Sequence, residues 1–234
     1  MALPTPFDLS GKTAVVTGGA GLLGREHVAA LAISGARVAI WDLVDAHDPL
    51  GQTTIVDVND LPSLRKAAEA LGHIDILVNN ASWAAPVGDE REPWAEALST
   101  GLAGPWRCAL ACKPYGLSVI LNIASNHSVH GPDPWLYQGG TKPATYIAMK
   151  AGLVGLTRWM ATTWAPDIRA NALSPGGVEN HQDPAFIARY SSRVPLGRMA
   201  EPSEYRGAVQ FLCSDASKYL AGVNLVMDGG RHLV

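Results

Sequence analysis

The stretch KTAVVTGGAGLLG, residues 12–24, constrains the fold more than any other part of the chain. An apolar, β-branched run enters glycines at 18, 21 and 24. Apolar residues then recur at helical spacing through GLLGREHVAALAISGA, which stops at Gly35. A buried strand turning through glycines into a helix is the first half of a β-α-β unit. Gly18 permits the tight turn, Gly21 lets phosphates approach the backbone, and Gly24 lets helix and strand pack closely. The unpaired N–H groups and positive dipole end of such a helix suit a pyrophosphate. A lone three-glycine turn is a weak signal. Its place between a first strand and a helix leading to a second strand makes it a dinucleotide site.

The pattern repeats. ARVAIWD (36–42), TTIVD (53–57), HIDILVNN (73–80) and LSVILNIAS (117–125) read as near-continuous apolar strands. LPSLRKAAEALG, EPWAEALS and the span from Pro143 to Trp164 read as helices between them. Alternation of this kind predicts a single α/β domain over residues 1–234. Its architecture is a Rossmann-like, doubly wound parallel sheet of about seven strands with helices on both faces. Ligands bind such sheets beyond the carboxyl ends of the strands.

Composition removes several alternatives. A formal charge of -3 and a pI near 6.1 give no basic patch for nucleic acid. No apolar run reaches the roughly eighteen residues of a membrane span, and MALPTPFDLSGK lacks the basic start of a signal peptide. Three cysteines, an odd number, favour free thiols in a reducing, cytoplasmic setting. Cys108 and Cys112 share a helix face as small core residues rather than as a metal pair.

Asp42 ends the second strand, 18 residues after Gly24. A carboxylate there binds the adenosine ribose hydroxyls and repels a 2′-phosphate, so NAD is expected over NADP. The alternative is a solvated strand-end aspartate. Arg25 points less well toward a 2′-phosphate. Asp57 has two open roles, holding the adenine amino group or capping the helix that begins near Leu61.

Together with NNA at 79–81, a strand-end serine, Tyr146-x-x-x-Lys150, SPGG at 174–177, PLGRMAEPSE at 195–204, FLCSDASKYLAG at 211–222 and DGG at 228–230, the turn resembles the short-chain dehydrogenase/reductase family along the whole chain. The resemblance implies that Tyr146 is the catalytic acid/base, Lys150 its activator and Ser125 the donor that polarises the substrate carbonyl. Independently, Lys150 lies one helical turn from Tyr146, and a neighbouring ammonium favours a phenolate. Ser128 is a rival to Ser125, which follows the strand directly. Cofactor contacts are implied at Gly18, Gly21, Leu22 and Leu23 in the turn, and at Asp42, Asp57 and Val58 around adenosine. Asn79 and Ala81 are implied beside the ribose, and Pro175, Gly176 and Val178 near the nicotinamide, with Tyr146 and Lys150. Residues 178–197, where Pro184 opens a helical stretch, resemble the substrate loop. A homo-oligomer, dimer or tetramer, is also implied.

The chain departs from that pattern at several points. Ser82 stands for the usual glycine of NNAG. Gly101 stands where an asparagine usually completes a proton relay, leaving Asn126 or His127 as substitutes. Asn180 replaces a threonine. Little room remains for a helix between Asp42 and Asp57, and Pro105 and Pro114 are expected to shorten the helix before the fifth strand, which weakens the tetramer expectation.

Tyr146 lies 21 residues after Ser125, more than the family spacing. The extra segment, GPDPWLYQGGTKP, offers Trp135, Tyr137 and Gln138 as a stacking and hydrogen-bonding face, with His127 as an auxiliary relay. It is read either as a substrate wall for a polyhydroxylated compound or as surface decoration. His127 and His130 are not expected to bind a metal, for want of further ligands.

The chain is therefore read as an oxidoreductase that moves hydride between NAD(H) and a secondary alcohol or ketone, with a sugar, polyol or sugar acid as the candidate substrate. Two alternatives stand beside it: a nucleotide-sugar epimerase or dehydratase, and a cofactor-binding homologue with little catalysis.

Overall fold

The computed structural model describes residues 5–83, 86, 93–138 and 140–234. Seven parallel strands form one sheet, β1 (Thr13–Thr17), β2 (Arg37–Asp42), β3 (Gly51–Ile55), β4 (Ile76–Asn79), β5 (Val119–Ile123), β6 (Arg169–Pro175) and β7 (Asn224–Met227). Their spatial order is β3-β2-β1-β4-β5-β6-β7. The chain winds outward from β1 and then returns to its other side at β4, so a crevice opens between β1 and β4 at their carboxyl ends.

Strand alternation builds a core on each face. Val15, Leu77, Ile120 and Ala170 join one cluster, with α2 (Leu61–Leu71) and Cys108 and Cys112 packed on it. Ala14, Val16, Val78 and Leu121 join the other, beneath α1 (Leu22–Ile33). Both faces are dry, which explains why the strands read as continuous apolar runs. Among the described residues no helix is long and apolar enough to cross a membrane.

Three expectations need correction. The third strand lies at 51–55, earlier than 53–57, and residues 43–50 join it to β2 without a helix. Asp57 thus sits beyond the strand, and Asp60 rather than Asp57 caps α2, accepting the Ser63 N–H. Pro105 does not shorten its helix. The run continues from α3 (Trp94–Leu98) through a π-helical turn, Ser99–Ala103, into α4 (Gly104–Cys112). The wider turn absorbs the missing N–H and the ring clash that Pro105 would cause in regular α-helix.

The remaining helices are α5 (Pro134–Tyr137), α6 (Ala144–Thr163), α7 (Pro184–Ser191) and α8 (Arg206–Cys213). The inserted segment therefore contains a helical turn, α5. It packs against α7 through Leu136, Tyr190, Val194 and Met199, and the Tyr137 and Phe186 rings lie 5.8 Å apart. Asp133 pairs with buried Arg231 at 2.9 Å, which ties the insertion to the residues after β7. Residues 178–197 are thus braced by the insertion.

Candidate active site

The glycine turn is shaped by close approach. Gly18 has φ +64°, and a β-carbon there would fall 2.8 Å from Ala81 Cα. One at Gly24 would fall 2.1 Å from Gly18 O, so only glycine lets α1 start so near the strand. No side chain caps α1 and its first turn carries no acid, which leaves its N–H groups available to an anion. The Asn80 amide holds the turn from below, donating to Thr17 O at 3.0 Å and Gly18 O at 2.8 Å.

A cavity of about 520 Å³ lies over this turn. Gly18, Gly21, Leu22 and Leu23 line one side, Asp42, Asp57 and Val58 another, and Ala81 and Ser82 a third. Asp42 accepts the Ala20 N–H at 2.9 Å on one oxygen and the Leu43 N–H at 2.7 Å on the other, so its carboxylate is fixed at the rim. The cradle of glycines, free helix amides and a fixed strand-end carboxylate fits a dinucleotide. Asn79 does not line this cavity. Its side chain is buried and donates to Asn122 Oδ1 at 2.8 Å, while its neighbour Asn80 faces the turn. Adjacent strand residues point to opposite faces, and the motif NNA offered no way to choose between them.

A second cavity, about 230 Å³, opens over the ends of β5 and β6 and is lined by Ser125 and Tyr146. Ser125 follows β5 and accepts the His127 N–H at 3.2 Å, which fixes its Oγ. Ser125 Oγ also meets Asn126 Oδ1 at 3.4 Å, and the Tyr146 phenol shares the cavity with it. Lys150 is buried, its Nζ donating to Ile123 O at 2.8 Å and lying 5.9 Å from the Tyr146 ring centre. Burial pulls the Lys150 ammonium down to about 8. Burial also raises Tyr146, against the opposing pull of Ser125. Ser128, the rival serine, turns instead to Ser174 Oγ at 3.0 Å and Asn224 at 3.2 Å.

The other expected residues divide. His127, Tyr137, Gly176 and Val178 line the second cavity. Pro175 is buried at the end of β6 and lines neither cavity. Trp135 and Gln138 also stay outside. Half-exposed Trp135 stacks on the Arg193 guanidinium at 4.8 Å, and exposed Gln138 closes α5 in a left-handed conformation. A helical turn of four residues sends its side chains to different sides, so only Tyr137 of the three faces inward. His127 is neutral near pH 7, because burial with His130 and Lys142 nearby pushes it down to about 4. Its Nδ1 is buried without a partner, which suits a hydrogen bond to a substrate hydroxyl better than a charged relay.

Sequence reasoning missed Lys142 and Tyr190 in this wall. The Tyr190 hydroxyl accepts the Gly177 N–H at 2.7 Å, and a β-carbon at Gly177 would meet its ring at 2.4 Å. The paired glycines of SPGG signalled a close approach without naming the partner. Asn180 lies on another surface, beside Glu179 and His181. Among the described residues no group of three or more His, Cys, Asp or Glu is arranged for a metal ion.

Comparison with known proteins adds the following. Residues 19–232 match the family model described as Enoyl-(Acyl carrier protein) reductase. The chain is 31% identical to 2-dehydro-3-deoxy-D-gluconate 5-dehydrogenase of Escherichia coli (strain K12), covering 96% of each. It is 29% identical to the crystal structure of a gluconate 5-dehydrogenase from Burkholderia cenocepacia J2315 in complex with NADP and tartrate, covering 98% of both chains with a TM-score of 0.88. A short chain dehydrogenase from Leptospira borgpetersenii with bound NAD+ is 31% identical, with a TM-score of 0.87 over 99% of this chain and 97% of that one.

Proposed function

The chain belongs to the short-chain dehydrogenase/reductase family and is an NAD(P)-dependent oxidoreductase acting on secondary alcohols; on that premise we propose that Tyr146, Lys150 and Ser125 carry the chemistry. The observation that carries this reading is the meeting of the Ser125 hydroxyl and the Tyr146 phenol in one cavity, with the Lys150 ammonium behind them.

A nicotinamide cofactor held over the glycine turn by Gly18, Gly21 and Asp42 would supply or accept the hydride. For ketone reduction, Ser125 donates a hydrogen bond to the carbonyl oxygen and Tyr146 gives that oxygen its proton. Lys150, fixed by Ile123 O, stabilises the phenolate left behind. For alcohol oxidation the proton moves back to Tyr146. A dry cleft strengthens each of these interactions. The His127 imidazole and the Tyr137 hydroxyl offer further polar contacts to a polyhydroxylated substrate.

NAD is the preferred cofactor on this reading, because the fixed Asp42 carboxylate meets the adenosine ribose and repels a 2′-phosphate. The gluconate-series relatives support a sugar, polyol or sugar acid as substrate. Residues 1–234 act as one domain in a homo-oligomer, dimer or tetramer. An open apolar surface groove along Leu102, Trp106 and Leu156 supports that assembly. The three buried free cysteines fit a cytoplasmic enzyme. Following nicotinamide absorbance with polyols, sugar acids and their keto forms, using each cofactor, tests the assignment. Turnover of none of them would contradict it.

A further inference from the structure

The substrate cavity contains an ammonium that the hydride chemistry does not use. Lys142 lines it, immediately before Pro143 and the start of α6, so a restricted backbone carries the side chain. Its Nζ stands 5.3 Å from the Tyr146 ring centre. Burial lowers its proton affinity, and among the described residues no carboxylate stands within ion-pair distance of it.

Among the described residues the surrounding wall has no compensating charge. No aspartate or glutamate is among the described residues lining this cavity, and His127 is neutral. The other nearby cations are engaged, Lys150 by Ile123 O at 2.8 Å and Arg231 by Asp133 at 2.9 Å. Among the described residues this half-buried ammonium meets an aromatic ring and no carboxylate, and an anionic ligand in the cavity would supply a counter-charge.

We propose that Lys142 is the carboxylate anchor of the substrate cavity and that the enzyme prefers hydroxy acids of the sugar-acid class to neutral polyols. This rests on reading that cavity as the substrate site. Lys142 acts here as a specificity residue, distinct from the proton transfer of Tyr146 and Lys150.

The test compares wild type, Lys142→Gln and Lys142→Arg on gluconate and on glucitol, the neutral polyol of equal length. Steady-state kinetics are paired with calorimetric binding of each compound to the NAD+ complex. Lys142→Gln is expected to raise KM and weaken binding for gluconate by about ten- to a hundredfold, with kcat affected less than KM and the glucitol values changed far less than those for gluconate. Lys142→Arg is expected to restore much of the preference. Equal losses on both compounds, or a fall in kcat with a shifted pH profile, would assign Lys142 to the proton machinery and overturn the proposal. So would a wild type that binds gluconate no better than glucitol. If instead gluconate binds through Lys142 but no alcohol or ketone is turned over, the anchor stands and the catalytic reading fails.

Discussion

The Met149 thioether fills the space that a side chain at residue 101 would need. A β-carbon on Gly101 would lie 1.9 Å from Met149 Sδ, and Ser82 Oγ approaches the same sulfur at 4.0 Å. Gly101 therefore lets its π-helical turn pack directly against Met149 of α6. Asn126, which accepts from Ser125 Oγ at 3.4 Å and donates to Asp228 Oδ2 at 3.4 Å, and the neutral His127 both line the substrate cavity. Gly101→Asn alone should destabilise the fold by about 1–3 kcal/mol through overpacking and lower activity as α6 shifts. Adding Met149→Ala should recover most of the lost melting temperature. A single variant as stable as wild type would contradict this packing account.

Asp42 should set the cofactor ratio. Replacing it with alanine removes the fixed negative charge at the cavity rim and an acceptor of the Ala20 N–H. The ratio of kcat/KM for NAD to that for NADP is expected to fall roughly ten- to a hundredfold, about 1.4–2.8 kcal/mol. Asp42→Asn, which keeps one carbonyl acceptor for the turn, should shift the ratio with less loss of overall activity. An unchanged ratio in both variants would remove Asp42 from cofactor selection.

The pH dependence should differ with direction. Burial lowers Lys150 to about 8 and raises Tyr146, so below that pH the ammonium is charged and the phenol holds its proton. Ketone reduction uses both and should decline as pH rises through about 8. Alcohol oxidation needs the phenol deprotonated and should rise with pH until loss of the ammonium opposes it. Profiles of kcat/KM in each direction check this. A reductive profile that stays level well into the alkaline range would contradict it.

What the sequence disclosed follows the reach of its signals. Gly18, Gly24 and the strand periodicity encode local geometry, and the parallel sheet follows from them. Tyr146 and Lys150 share a helix, so their proximity was legible from spacing alone. The choice between Asn79 and Asn80 depends on which strand face each occupies. Trp135 and Gln138 differ from Tyr137 only by their angle on a short helical turn. Tyr190 reaches the cavity through a contact with Gly177 on another segment, Lys142 sits before α6 where helical spacing does not place it, and Met149 fills the space beside Gly101 across two helices. Such long-range packing leaves no periodic trace in a single chain.

The central claim is that Tyr146 moves the proton while hydride passes, and Tyr146→Phe tests it most directly. The substitution keeps the ring and removes the hydroxyl that Ser125 meets. The account predicts a fall in kcat of at least about a hundredfold with NADH affinity, measured by fluorescence, close to wild type. A phenylalanine variant that binds NADH and turns over substrate near the wild-type rate would contradict it.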